Sequence, residues 1–399
     1  MEMAKKSRLV LITNPGSSSR KYALYRGDEF LASLHFEFED KKIICKLKDA
    51  DGNRQPVSVK IEKLDEAVSH IHDILTKAKF LGADKELDAI IIRIVAPGEY
   101  FTKDHVVDKE YLEQIDVAKH NAPLHVPTTA KEIAHFRKSF PKLPIISVSD
   151  SAFHTTKPNL NMYYPIDMDL ANEHGIKRYG YHGLSVASVV NYMERKKILA
   201  EKVVVCHVGS GSSVSAVYRG KSMDNSMGYS PLEGVMMATR VGNIDVSAAL
   251  AIKRHLNLDD IELENYLNKK SGLLGVSGLS DDMREVEAAR NNDDERSSFA
   301  LSLYEHKVVS LIGQMVASMN GIDALVFTAT IGERGQEFRA AVLKRLAYLG
   351  FKLDNERNSE NLLDGHILLT TDISKPAYSI KTDEFHQMVI AANKVLDTI

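Results

Sequence analysis

Leu9–Gly27 reads LVLITNPGSSSRKYALYRG, and Val203–Gly220 reads VVVCHVGSGSSVSAVYRG. Allowing a one-residue gap, both are an apolar strand, a Gly/Ser turn, a second strand and Tyr-Arg-Gly. A unit that recurs after roughly half the chain points to an internal duplication. The plainer alternative is two unrelated β-hairpins with glycine turns. Glycine lets the backbone approach a ligand closely, and successive N–H groups in such turns form anion-binding concavities. Two duplicated halves, each presenting one turn to a common cleft, would grip a polyphosphate from both sides.

The chain has 399 residues, which suggests two or three domains and favours two. It is 44% hydrophobic and 26% charged, an ordinary globular composition with apolar material for more than one core. Lys plus Arg is 51 against 54 for Asp plus Glu, a net charge of −3. Such balance provides no electrostatic reason to expect a nucleic acid or an anionic membrane as partner. Cys45 and Cys206 are too few for a disulfide framework or a four-ligand zinc site. The opening MEMAKKSRLVLITNPG lacks the apolar length of a signal peptide, and no stretch approaches the roughly 20 apolar residues of a membrane span. A soluble, cytoplasmic protein is expected.

Short runs of Val, Ile and Leu alternate with helical patterns. Leu9–Thr13, Ala89–Ile94, Ile145–Val148, Val203–Val208, Leu325–Thr328 and Ile367–Thr370 read as buried central strands. Leu64–Phe80 carries Ala67, Ile71, Ile74 and Leu75 at helical spacing. A long helix is predicted from Asp294 to Met319, with Tyr304, Val308, Leu311, Met315 and Met319 on one stripe, and further helices over Gly335–Leu349 and Glu384–Leu396. Alternation in LHFEFE, IICKLK and VSVKIE between Leu31 and Ile61 predicts antiparallel strands with one wetter face. Ala50–Gln55 and Asn291–Glu295 read as loops. The whole is α/β. The C-terminal helix is expected to return to the first domain, giving an N-terminal domain of residues 1–150 plus 385–399 and a C-terminal, nucleotide-binding domain of residues 151–384.

No GxxxxGK[ST], HExxH, paired CxxC or GxSxG occurs, which removes the P-loop, zincin and serine-hydrolase readings. What remains is a set of polar residues at predicted strand ends: Arg93 in IIRIVAPGE, His125 in NAPLHVP, Asp150 in ISVSDSAFH, His182 in RYGYHGLS, Arg240 in MMATRVGNID and Glu384 in TDEF. Taken singly, each has a dull explanation, since a strand-end arginine usually forms a surface ion pair and a lone histidine is usually structural.

Together they form a pattern. The stretch Ser212–Asp245, SSVSAVYRGKSMDNSMGYSPLEGVMMATRVGNID, and the blocks NPGSSSRK, APLHVP, SDSAFH, GIKRYGYHG, SDDMREVE, IGER and TDE resemble, in order and spacing, the acetate kinase family, which includes propionate and butyrate kinases. The resemblance runs from Asn14 to Glu384. It implies two duplicated RNase H-like domains of the acetate and sugar kinase, Hsp70 and actin superfamily, with a central cleft. It also implies reversible transfer of the ATP γ-phosphoryl group to a short-chain carboxylate with Mg²⁺, and a homodimer.

The residues suit that reaction, which depends on positioning and charge stabilisation more than on covalent chemistry. Arg93 and Arg240 can bracket the carboxylate and the transferring phosphoryl group with bidentate forks. His182 can donate to the equatorial oxygens, with His125 as a second donor near the same centre. Asp150 can hold the nucleophile, a metal-bound water or an arginine. By resemblance, Asn14 and Glu384 are the pair associated with Mg²⁺, two hard oxygen donors. Ser17, Ser19 and Lys21 on the first turn, and His207, Gly209, Ser210 and Gly211 on the second, would meet the phosphates. Val95, Leu124, Tyr181 and Pro231 match the acceptor's apolar pocket, and Asp282 and Arg284 the adenosine side.

The departures fall in the loops. The family's HGG is Ala96-Pro97-Gly98 here, HNP is His125-Val126-Pro127, and GNGSS is Gly209-Ser210-Gly211-Ser212-Ser213. The family's GGIGEN is Ala329-Thr330-Ile331-Gly332-Glu333-Arg334, so Thr330 adds a side chain and Arg334 a cation. Tyr181 stands where the family commonly has Phe. Two alternatives follow: an enzyme with an altered nucleotide pocket that uses pyrophosphate or another donor, and a non-catalytic nucleotide-binding member of the superfold.

Overall fold

The computed structural model describes residues 7–16, 19–39, 42–82, 86–122 and 126–399, the side chains of residues 120 and 121 excepted. The chain divides into two units, Met1–Ala152 with Glu384–Ile399, and Phe153–Asp383. Each is built on one mixed sheet.

In the first unit the strands are β1 (Leu9–Pro15), β2 (Ser19–Arg26), β3 (Glu29–Glu39), β4 (Lys42–Asp49), β5 (Arg54–Val57), β6 (Ala89–Ile94), β7 (His105–Val106) and β8 (Ile145–Ser149), in the order β5-β4-β3-β2-β1-β6-β8-β7. The first five form an antiparallel meander, and β1, β6 and β8 run parallel. In the second unit they are β9 (Lys202–Val208), β10 (Ser212–Tyr218), β11 (Lys221–Asn225), β12 (Ala324–Thr328), β13 (His366–Leu368) and β14 (Ala377–Ile380), in the order β11-β10-β9-β12-β14-β13. Here β9, β12 and β14 run parallel. Each sheet contains a run of five strands, β3-β2-β1-β6-β8 and β11-β10-β9-β12-β14, whose relative chain order within the run is third, second, first, fourth, fifth. The two stretches quoted first are the equivalent hairpins β1–β2 and β9–β10, so the repeat is a structural one and each unit is RNase H-like.

The parallel strands are buried on both faces, as their unbroken apolar runs require. Leu9–Ile12, Ala89–Ile92, Val203–Cys206 and Ala324–Phe327 are all within the core. Helices supply the covering layers. Ala67–Lys77 turns Ala67, Val68, Ile71, Ile74 and Leu75 inward, a stripe at helical spacing. The helix Glu295–Ser318 buries Tyr304, Val308, Leu311 and Met315, and Asp294 caps it by accepting from the Ser297 amide at 2.6 Å. Glu384–Leu396 packs on β1, β6 and β8 through Met388, Val389 and Ala392. Among the described residues no helix is long and apolar enough to cross a membrane.

Four local expectations need correction. VSVKIE is not a strand beyond Val57: the partner of β4 is Arg54–Val57, and residues 58–62 leave the sheet. Ile367–Thr370 is not a central strand: β13 spans three residues and pairs antiparallel at the sheet edge. The fifth position belongs to Ala377–Ile380, whose Ala-Tyr-Ser-Ile lacks an apolar run to mark it. The loop Ala50–Gln55 ends earlier, because Arg54 and Gln55 already pair with β4. The helix expected over Gly335–Leu349 is Gln336–Arg345 followed by a separate 3₁₀ turn at Ala347–Leu349.

Candidate active site

Parallel strands bring their C-terminal ends to one edge of a sheet, the usual place for ligands in open α/β sheets. In the first unit those ends carry Asn14 on β1, Arg93 on β6 and Asp150 just after β8. The Asp150 amide donates to the Ile94 carbonyl at 3.0 Å, which fixes its side chain alongside Arg93. Arg93 Nε then donates to Asp150 Oδ1 at 3.1 Å and Nη2 approaches Oδ2 at 2.9 Å. Its remaining terminal nitrogen, Nη1, reaches Glu384 Oε2 at a longer 3.4 Å. Burial works against the arginine's charge, but the Asp150 and Glu384 carboxylates outweigh it and hold its pKa above the ordinary value. Val95 follows β6 and is half-buried, as are Asn14 and Ser19, while Lys21 is exposed on β2. The Gly16 amide donates to the Ser19 carbonyl at 3.1 Å. Ser17, Leu124 and His125 lie outside the described residues.

In the second unit His182 caps the helix Gly183–Arg195 with a left-handed backbone, φ 59°, a conformation that costs a non-glycine residue about 1–3 kcal/mol and marks functional positions. Its ring stacks on His207 with centroids 4.0 Å apart. Its Nδ1 shares a hydrogen bond with Ser213 Oγ at 3.0 Å, and His207 Nδ1 one with Ser185 Oγ at 2.8 Å. The glycine turn lies directly against this pair: a side chain at Gly211 would meet His182 Nε2 at 3.2 Å and Arg240 Nη1 at 3.7 Å. Arg240 Nη1 donates to the Pro231 carbonyl at 3.3 Å. Tyr181 is buried, and its hydroxyl donates to the Tyr229 carbonyl at 2.7 Å. His182, Gly211, Arg240 and Pro231 are therefore one group, with Tyr181 joined to the same loop two residues before Pro231.

The loop after β12 is the short helix Ala329–Arg334. A Cβ at Gly209 would stand 3.7 Å from that of Ala329, so this loop adjoins the glycine turn. The strain falls on Ala329, not Thr330: Ala329 is buried with φ 65°, whereas Thr330 and Arg334 are exposed. Ile331 is half-buried and Gly332 buried. Asp282 caps the helix Met283–Arg290 by accepting from the Arg284 amide, and the two side chains pair with each other, Arg284 largely in solvent.

Ser213, Ser185 and Glu333 were not among the expected site residues. Glu333 Oε1 accepts from the Ala329 amide at 3.1 Å and the Thr382 amide at 3.0 Å, tying the loop after β12 to the chain after β14. The two serines sit at every-other and helical positions that carry no chemical signal of their own. Glu333 was visible as part of IGER, without a role.

The model of the acetokinase family matches residues 9–392. An acetate kinase of Thermoanaerobacterium thermosaccharolyticum is 36% identical over 98% of this chain and 99% of its own. One of Limosilactobacillus fermentum is 37% identical over 87% and 89%. Among solved structures, a propionate kinase from Francisella tularensis superposes with a TM-score of 0.87 at 33% identity, over 96% of this chain and 98% of its own. The acetate kinase of Porphyromonas gingivalis gives 0.85 at 30%, over 98% and 99%. The molecule is a phosphotransferase with a carboxyl group as acceptor. The chain belongs to the acetokinase family.

Proposed function

We propose that the enzyme is an acetate kinase, which transfers the γ-phosphoryl group of ATP reversibly to acetate and forms acetyl phosphate and ADP. The observation that carries this is the state of Arg93: two hydrogen-bonding atoms are committed to Asp150, and one makes a long contact to Glu384. That long contact is the one an arriving carboxylate or phosphoryl oxygen replaces. Asp150 is thus the residue that orients the arginine. Arg240, beside Gly211 and the Pro231 carbonyl, serves as the second cation. His182, kept in place by Ser213 and His207, donates to the oxygens on which charge develops. The residues proposed for the methyl group by family resemblance are Val95, Leu124, Tyr181 and Pro231. His125 is proposed as a further donor, and the Gly/Ser turns and the loop Ala329–Arg334 as the residues that contact phosphates and nucleotide.

Among the described residues no three His, Cys, Asp or Glu side chains gather as a metal cage. Mg²⁺ does not need one, because it keeps waters and phosphate oxygens as ligands. Asn14 lies at the end of β1, on which the helix beginning at Glu384 packs. These two oxygen donors suit the ion. Bound there with the nucleotide, Mg²⁺ supplies neutralisation of phosphate charge.

The proposal includes a homodimer in the cytoplasm, without a nucleic-acid or membrane partner. The helix Val246–Leu256 buries none of its residues, and Val246 is 73% exposed, with Leu250, Leu256 and Ile261 also in solvent. A second copy of the chain is the occupant that fits such a face. Leu250→Glu should halve the mass measured by light scattering.

Acyl phosphate trapped with hydroxylamine tests the activity. ATP, GTP and pyrophosphate are each offered with acetate, propionate and butyrate. Hydroxamate from ATP and acetate is expected. None from any pair overturns the assignment, and product with pyrophosphate alone replaces ATP as donor.

A further inference from the structure

Glu132 points from the helix Val126–Ser139 into the first unit and is 1% exposed. Its Oε1 accepts from Thr13 Oγ1 at 3.1 Å and from the Tyr22 hydroxyl at 2.7 Å. Its Oε2 lies 3.3 Å from Nε of Arg20, which is itself 3% exposed. The arginine carries the chain of contacts onward. Its Nη1 donates to the Gly16 carbonyl and reaches the Ser19 carbonyl at 3.4 Å, and Nη2 donates to Asp65 at 2.8 Å.

Apart from Asp65, these contacts all end on the β1–β2 hairpin. Thr13 precedes Asn14, Gly16 and Ser19 flank the first Gly/Ser turn, and Tyr22 follows Lys21. Seven paired positions already set the register of β1 on β2, so an ion pair is not required for strand pairing. Nor is it the most stable filling for a core, since apolar residues of similar volume often do as well or better. What apolar residues cannot do is hold the Gly16 and Ser19 carbonyls.

We propose that Arg20 and Glu132 are positioning residues for phosphate recognition, holding Gly16 and Ser19, and with them Asn14, in the geometry that phosphoryl transfer needs. The inference rests on the role proposed above for the first turn. Arg20 is the clamp, and Glu132 sets its angle while anchoring the helix that begins one residue after His125.

The test uses the full chain and three variants: Arg20→Lys, Glu132→Gln and the double change Arg20→Leu with Glu132→Leu. Melting temperature, kcat and the KM for ATP and for acetate are measured on each. The double variant should melt within about 2–4 °C of the parent, while kcat/KM for ATP falls between about ten- and a hundredfold and KM for acetate stays put. Glu132→Gln and Arg20→Lys should show smaller losses of the same kind, because each keeps part of the network. Parental kinetics in the double variant would make the pair merely structural and overturn the proposal. Should that variant fail to fold, Arg20→Lys decides below its melting temperature: an unchanged KM for ATP overturns the proposal, a raised one with unchanged KM for acetate upholds it. A parent that forms no hydroxamate overturns the kinase reading and this inference with it, a result distinct from an active parent with indifferent variants.

Discussion

Asp150 grips Arg93 across the ends of adjacent parallel strands through Nε–Oδ1 and Nη2–Oδ2 contacts of 3.1 and 2.9 Å. This fork sets the direction of the third nitrogen. Arg93→Lys, which cannot form a fork, should lower kcat by about 10²–10³. Asp150→Asn should do the same and also lower stability by about 3 kcal/mol, since it leaves a largely buried guanidinium short of one partner. Hydroxamate kinetics and denaturant titration check both. Near-parental turnover in Asp150→Asn would remove Asp150 from the orienting role.

Tyr181→Phe removes the donor to the Tyr229 carbonyl. A loss of about 0.5–1.5 kcal/mol in stability follows. The loop that leads to Pro231 is loosened, so KM for the carboxylate should rise severalfold while KM for the nucleotide holds. The comparison of the two KM values is decisive, because a general loss of folding would move both.

Ala329→Gly relieves a left-handed backbone at φ 65°. Strain there is about 1–2 kcal/mol, and glycine returns about 0.5–1 kcal/mol through chain entropy. The variant should be more stable by about 0.5–1 kcal/mol, read as a rise of a few degrees in melting temperature. An unchanged or lower melting temperature would show the neighbours of Ala329 to be the stronger influence.

Lys157 is buried, and its Nζ donates to the Arg178 carbonyl at 2.7 Å. Burial, then the charge of Arg178, push its pKa down from 10.5 to about 8, against the pull of Asp224 and Glu233. The folded state thus binds fewer protons than the unfolded chain between these values, and stability contributed by this group rises with pH across that window. Compared with Lys157→Met, the parent should gain stability from about pH 8 to 10.5. Parallel pH profiles for the two proteins would show that Lys157 does not titrate in that window.

Much of this was legible in the chain. Continuous Val, Ile and Leu runs marked β1, β6, β8, β9 and β12 because a strand covered on both faces has no room for polar residues. The repeated hairpin marked the duplication. Arg93, Asp150 and Glu384 stood out through their types and motifs, and they meet in the first unit. The strand Ala377–Ile380 was missed because Ser379 interrupts its apolar character, though it is buried. Arg20 and Glu132 were missed because charge reads as surface. The available hint was Glu132 itself, which shares a helical stripe with the buried Val126, Thr129, Ile133 and Phe136. Ala329 was passed over for Thr330 because backbone strain depends on φ, which no residue type announces.

The helix Glu384–Leu396 completes the sheet layer over β1, β6 and β8. During synthesis the first unit therefore emerges from the ribosome lacking one of its walls, and must wait for more than two hundred residues of the second unit to be made. The second unit, whose segments are contiguous, can fold without that wait. A nascent chain that stops short of Glu384 also lacks one of the two carboxylates that face Arg93.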